Sequence, residues 1–347
     1  MPRSCNAPVH GRLGHLGCRL RIPQPLLPCN CVQTNNHELE ILSQIVVMAV
    51  AVTTLSSQLA SAADARAEKP NIVIILADTF TRKAVAFIEQ NKDRPFFLYF
   101  ATHDPHVPRA PNARFVGKSG CGVRGDVIVE FDWCAGEILN TLDRLNLSQN
   151  TLVILSSDNG PVVDDGYQDG SVKNLNGHRP AGPLRGGKYS IFEGGTRVPL
   201  IIRWPQHIKP GVSDALVSHI DFLASFAALT GQKLAAGEGP DSRNTLPALL
   251  GQSQTGRTQQ VEHARVLALR DGSWKYIEPG AGPKRNPGTN TELGTEPAGQ
   301  LYQLSDDLGE TNNLIQAQAD RSQKLLEQLK AARQTDTATS GSQPRRE

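Results

Sequence analysis

The residues best suited to chemistry fall in four short stretches. The run PFFLYFATHDPHVP places His103 and His106 just past an apolar segment, in a proline-fixed turn. Two imidazoles so placed can move a proton or contact an anion, whereas a lone loop histidine is more often just solvated. LSSDNGP offers Asp158 and Asn159 as adjacent oxygen donors; they suit a hard cation, or form a plain Asn-Gly turn. Asp78 closes NIVIILAD and can serve such a cation or cap a helix. In PLRGGKYSIFEGGTRVP, glycine pairs separate Arg185, Lys188 and Arg197. Cations bind tetrahedral oxyanions and glycine lets backbones approach closely; a flexible basic loop before a strand is the blander reading.

These residues need strands to carry them. NIVIILA (71–77) reads as a strand buried on both faces, FFLYFAT as a second buried strand and TLVILS (151–156) as a third. RVPLIIRW (197–204) reads as a fourth. Helical spacing of apolar residues predicts helices over 81–92, 126–146 and 214–230. Strands alternating with helices argue an α/β domain with a mostly parallel sheet. Ligands of such sheets sit beyond the strand C-termini, where Asp78, His103, His106 and Asp158-Asn159 fall. After about residue 255 the pattern changes. Short strands at 266–270, 274–277 and 300–304, then a helix over 317–333, predict a small α+β C-terminal subdomain, with 334–347 as a disordered tail.

The 347 residues hold 36 Lys+Arg against 34 Asp+Glu. That balance excludes a disordered polyelectrolyte and gives no reason to expect nucleic acid. The formal charge of +2 falls entirely in residues 1–62, where Arg3, Arg12, Arg19 and Arg21 outnumber Glu38 and Glu40. Residues 41–55 form an apolar run that is short and polar for a membrane span, followed by Ala60-Ser61-Ala62. Residues 41–62 therefore read as a secretory signal, and 1–40 as a non-native or disordered extension. A periplasmic or secreted chain starting near Ala63, with no stable membrane span, is expected. It would retain Cys121 and Cys134, which an oxidising compartment would allow to pair.

Taken together, KPNIVIILAD, PFFLYFATHDPHVP, SDNGP, RGGKYSIFEGGTRVP and SHIDFLASFAALTG resemble the sulfatases, in family order. The resemblance implies an alkaline-phosphatase-like α/β/α sandwich, truncated here, over 69–254, with the small subdomain over 255–333. It implies hydrolysis of sulfate monoesters with a bound calcium or magnesium ion. By the same resemblance Asp78, Asp158 and Asn159 are metal ligands, and His106 and Lys188 contact the sulfate group. His103, Arg185 and Arg197 are the further substrate-binding candidates. The ligand implied is a sulfated small molecule or glycan.

The family's nucleophile is a formylglycine made from Cys or Ser in C/S-x-P/A-x-R. Cys121 begins CGVRG, Cys134 CAGEI and Ser61 SAADA, so the expectation is that no Cys or Ser supplies it. Thr79 stands where the family has a second aspartate. LAD runs almost directly into TFTRKAVAFIE, so an internal block is expected to be missing near 78–80. Three functions follow as candidates: an inactive or impaired sulfatase, a non-catalytic protein binding sulfated glycans, and a phosphoesterase using Thr79.

Overall fold

The computed structural model describes residues 70–75 and 81–340. The expected extension and signal, the junction at 78–80 with Asp78 and Thr79, and residues 341–347 lie outside the described residues. In chain order the α/β part contains β1 (Asn71–Ile75), α1 (Thr81–Gln90), β2 (Phe97–Phe100), α2 (Gly122–Arg144) and β3 (Thr151–Ser156). There follow α3 (Glu193–Thr196), β4 (Leu200–Arg203), α4 (Phe222–Leu229) and α5 (Leu246–Leu249). The C-terminal part holds β5 (Gln259–Ala264), β6 (Val266–Asp271), β7 (Trp274–Ile277), β8 (Gln300–Gln303) and α6 (Ala319–Ser340).

The first sheet has the order β2-β1-β3-β4. β1 runs parallel to both neighbours, with Val73 opposite Leu98 on one side and Val153 on the other. β4 is antiparallel to β3. Successive side chains of a strand point to opposite faces, so each strand feeds two cores. Val73, Phe96, Phe100 and Val153 pack with Ala84 and Ile88 of α1 and Ile138 and Leu142 of α2. Ile72, Leu152 and Ile154 face the other way, onto Trp204, Phe222, Phe226 and Leu250. Helices on both faces of a sheet give three layers, α/β/α.

β2 departs from expectation. It is an edge strand, and Phe97 and Tyr99 are 47% and 58% exposed. The alternate residues Phe96, Leu98 and Phe100 pack against α1 and α2. Phe97 reaches only the rim of the opposite layer, 6.4 Å from the Phe226 ring. A run of apolar residues reads as buried on both faces, but among the described residues the second face of β2 stays largely exposed.

Other boundaries also move. The helix expected over 214–230 starts at Phe222. Residue 216 is held instead by its carbonyl, which accepts a hydrogen bond from the Arg257 amide. Asp221, fully buried, ties this corner through a bidentate pair to Arg257 (2.6 and 2.8 Å) and accepts from the Arg243 amide. α2 starts at Gly122 rather than 126. The Asp126 carboxylate accepts from the Gly117 and Ser119 amides and so fixes the approach to the helix. Cys121 and Cys134 are buried at the start and middle of this helix region, and no disulfide joins them. Thirteen residues at about 1.5 Å each set them far beyond disulfide reach.

The second sheet is an antiparallel meander, β5-β6-β7-β8. β5 is not foreseen, because QQVEHA is half-buried except for the exposed His263 and shows no clean alternation. Leu269, Tyr276 and Leu301 pack on Leu325 and Leu329 of α6. That helix runs to Ser340, so residues 334–340, expected as tail, are helical; once nucleated, a helix extends at little cost per residue. The opposite face, with Val266, Ala268, Ile277 and Tyr302, packs on Ile191 and Phe192. Those two residues belong to the glycine-rich loop.

Candidate functional site

The site forms where the turn after β3 meets the glycine-rich loop. Gly160 donates its amide to the Gly195 carbonyl at 2.9 Å, and the Lys188 amide donates to the Pro161 carbonyl at 2.9 Å. The backbones lie so close that a Cβ on Gly160 would collide with the Gly194 carbonyl, and one on Gly187 with the Pro161 carbonyl. Glycine at these positions is therefore a steric requirement. The crossing brings Asp158, Asn159, Lys188 and Arg197 to the wall of one groove of about 1740 Å³.

Lys188 is buried, and its Nζ lies 3.5 Å from His106 Nε2. His106 Nδ1 is 2.7 Å from the Val107 carbonyl, an acceptor, so Nδ1 carries the proton. In the neutral ring Nε2 is then the lone-pair nitrogen, aimed at the lysine. His103 does not join this pair. Its Nδ1 lies 3.4 Å from Asp104 Oδ1, and the ring is partly exposed.

Two residues of the site stand where the sequence favours a blander role; the acidic loop 164–167 could read a sugar, with surface solvation the default explanation. Asp165 sits in an acidic loop that reads as a solvated surface turn. Its Oδ2 lies 3.7 Å from Lys188 Nζ and 3.9 Å from His106 Nε2, and its Oδ1 accepts from Tyr189 Oη at 3.2 Å. His219 reads as part of a helix, yet its Nε2 is 2.6 Å from Ser156 Oγ at the end of β3. Burial pushes the His219 imidazole down toward the neutral form, and the Asp158 carboxylate partly opposes this.

Arg185 requires a correction. Its Nε and Nη2 grip the Glu292 carboxylate at 3.0 and 2.7 Å, its Nη1 donates to the Glu310 carbonyl at 2.5 Å, and the guanidinium stacks 4.0 Å from the Phe192 ring. The planar guanidinium matches a carboxylate fork, so Arg185 fastens the loop to the C-terminal part instead of facing a ligand. Arg197 lines the groove, half exposed, 3.7 Å from Glu193.

A buried charge cluster completes the fastening. Lys275 is fully buried, with Nζ 2.9 Å from Glu193, 2.8 Å from Glu262 and 3.7 Å from Glu310. Burial would lower the Lys275 ammonium, but Glu262, Glu193 and Glu310 together hold it above the ordinary lysine range. Burial likewise works to raise Glu193, yet Lys275 and Arg270 draw it below the usual carboxylate range. Glu310 goes the other way. Burial pushes it up to about 7, since Lys275 is shared and Glu193 and Glu262 repel it. Its Oε2 accepts from the Glu193 amide at 2.7 Å.

The divalent ion implied by the resemblance finds few donors here. Asp158 and Asn159 stand at the end of β3, but among the described residues no three His, Cys, Asp or Glu side chains gather around one point. Asn159 Nδ2 donates to the Gly160 carbonyl. Calcium takes six to eight oxygens; Asp158 and Asn159 are the two described candidate donors, and Asp78 lies outside the described residues. Among the described residues no helix is long and apolar enough to cross a membrane.

The comparisons with known proteins agree with this architecture. The sequence model of the family Sulfatase matches residues 53–232, and the chain belongs to the sulfatase family. It is 50% identical over 260 residues to an N-acetylgalactosamine-6-O-sulfatase of Bacteroides thetaiotaomicron, covering 74% of this chain and 51% of that protein. It is 34% identical to human arylsulfatase A, covering 70% of this chain and 48% of that protein. A solved sulfatase structure from work on glycosaminoglycan metabolism by Bacteroides thetaiotaomicron superposes with a TM-score of 0.71 at 50% identity, over 73% of this chain and 53% of that one. The sulfatase PsFucS1 of Pseudoalteromonas sp. gives 0.62 at 26% identity, over 77% and 53%. The fold is thus the alkaline-phosphatase-like fold of the sulfatases, and the chain spans about half the length of the curated relatives it matches.

Ser342 begins SQPRR and meets the bare nucleophile pattern. It stands beyond α6, outside the described residues, about as far along the chain from β1 as the sequence allows. Between β1 and β2, where the family carries its nucleophile, no Cys or Ser occurs.

Proposed function

We propose that this chain recognises the sulfate ester of a carbohydrate at Lys188 and His106, with hydrolysis absent or severely impaired. The observation that carries the reading is the Lys188–His106 pair, 3.5 Å apart, with Lys188 held by a backbone crossing that requires glycine. An ammonium in a largely buried position would bind a sulfuryl oxygen, and His106, when its ring also carries a proton on Nε2, would donate that proton to the ester oxygen that leaves. The relative at 50% identity suggests a 6-sulfated N-acetylgalactosamine unit as the sugar. The groove that Lys188 lines is open to solvent and leaves room for more than the sulfate group.

Loss of a nucleophile lowers turnover by several orders of magnitude, while binding groups still act. A calcium or magnesium ion at Asp78, Asp158 and Asn159 is part of this proposal; with so few ligands it would bind weakly and would polarise the sulfate group when present. Export through residues 41–62 is likewise part of it. In the test, the full chain is incubated with 6-sulfated N-acetylgalactosamine and added calcium, and released sulfate and binding are both measured. Binding that is lost in Lys188→Ala, without sulfate release, is expected. Turnover comparable to a full-length relative overturns the impaired reading, and unchanged binding in Lys188→Ala overturns the site.

A further inference from the structure

The Lys188–His106 pocket already contains an anion, and it belongs to the protein. Asp165 Oδ2 stands 3.7 Å from Lys188 Nζ and 3.9 Å from His106 Nε2, while those two nitrogens are 3.5 Å apart. The three atoms make a near-equilateral triangle, so the carboxylate oxygen occupies the position a sulfuryl oxygen would take against the same two groups. All three side chains are largely buried, at 9, 12 and 20% exposure for Lys188, Asp165 and His106. Screening there is weak and a second anion beside Asp165 would be strongly repelled.

The carboxylate is held by one further contact, and that contact is strained. Tyr189 donates its hydroxyl to Asp165 Oδ1 at 3.2 Å from a backbone with φ of 78°. A bulky non-glycine residue adopts that region only when its surroundings impose it. The Lys188 ammonium sits over the same ring, 5.3 Å from its centre. Lys188 and Tyr189, adjacent in the chain, therefore clasp the two oxygens of Asp165 from neighbouring positions. On the other side, Asp165 is followed by Gly166, at φ of 83° with open space around its Cβ position, and flanked by exposed residues 164, 166 and 167. The segment can swing outward without disturbing a core.

We propose that Asp165 is an internal competitor for the sulfate pocket and so a specificity-determining residue. A ligand enters by displacing it, and the displaced carboxylate, still at the pocket mouth, accepts a hydroxyl from the sugar that carries the sulfate. Inorganic sulfate, which offers no such donor, pays the displacement with no return; a sulfated sugar with a free neighbouring hydroxyl recovers it. This inference rests on the sulfate-recognition reading above.

The test compares the affinities of inorganic sulfate and 6-sulfated N-acetylgalactosamine for the full chain, Asp165→Asn, Asp164→Asn and Lys188→Ala by calorimetry. Asp165→Asn keeps the size and the Tyr189 acceptor but removes the charge. The expected result is inorganic sulfate bound at least tenfold tighter by Asp165→Asn, a shrunken preference for the sugar, and no change in Asp164→Asn. Equal sulfate affinity in Asp165→Asn and the unchanged chain, with binding still lost in Lys188→Ala, overturns this inference alone. Binding of neither ligand by any of the proteins overturns the sulfate-recognition reading together with it. A gain shared by Asp164→Asn reduces the effect to general loop charge and also overturns the inference.

Discussion

The glycine-rich loop and the β2 edge lie in one α/β domain and are finished to very different degrees. The loop is fastened on every side: Arg185 to Glu292, Glu193 to Lys275 and Arg270, Ile191 and Phe192 into the apolar face of the second sheet. The edge strand, by contrast, has Phe97 and Tyr99 in solvent. The difference follows from what each region packs against. The loop's partner is the C-terminal sheet, which the chain retains in full contact with it. The β2 face looks toward a layer that α4 alone does not reach across. A loop packed against the second sheet is thus fixed on several sides, whereas among the described residues the outer face of β2 is left largely open.

The largest expected effect concerns the fastened region. Replacing Lys275 by Met leaves three carboxylates together without their shared cation, and breaking a buried ionic group of this kind costs about 3–5 kcal/mol. Urea unfolding of the two proteins measures it, and a loss below about 1 kcal/mol would mean that the cluster does not fasten the loop.

A smaller effect should appear as pH dependence. Glu310 has a folded pKa of about 7, above its ordinary 4.5, so the folded chain binds the extra proton between those values. Stability from this group is present below about 4.5 and falls as pH rises toward 7, by on the order of 2–3 kcal/mol. Glu310→Gln stays neutral throughout, so its stability relative to the unchanged chain should improve from pH 5 to pH 8. A constant difference across that range contradicts the assignment.

The edge strand should give the smallest change in stability and the clearest change in solution behaviour. Tyr99→Lys places a charge on an exposed edge, where substitutions stay within about 0.5 kcal/mol but hinder edge-to-edge association. Light scattering against concentration should show less self-association at an unchanged melting temperature. Equal scattering would indicate that the open face is not what associates.

Much of this was legible in the chain itself. β1 and β3 stand where their apolar runs predict, because a strand buried on both faces of a parallel sheet is written as a near-continuous apolar run. Lys188 and His106 meet, and the glycines that allow it were visible as pairs. What escaped has a common cause. Asp165 and Arg185 are charged loop residues whose partners lie 23 and 107 positions away, at Lys188 and Glu292, and nothing local distinguishes a solvated charge from a paired one. β5 is polar and half-buried, so it has no period to read.

The sequence by itself determined the family, the strand–helix alternation and the absence of Cys and Ser between β1 and β2, since all three are written in residue types along the chain. Only the tertiary structure decided that Arg185 pairs with Glu292, that Asp165 lies beside Lys188 and His106, and that β2 is an edge among the described strands. Those outcomes depend on which distant groups share a low-dielectric space or leave a face uncovered, and proximity in space is set by packing, not by order along the chain.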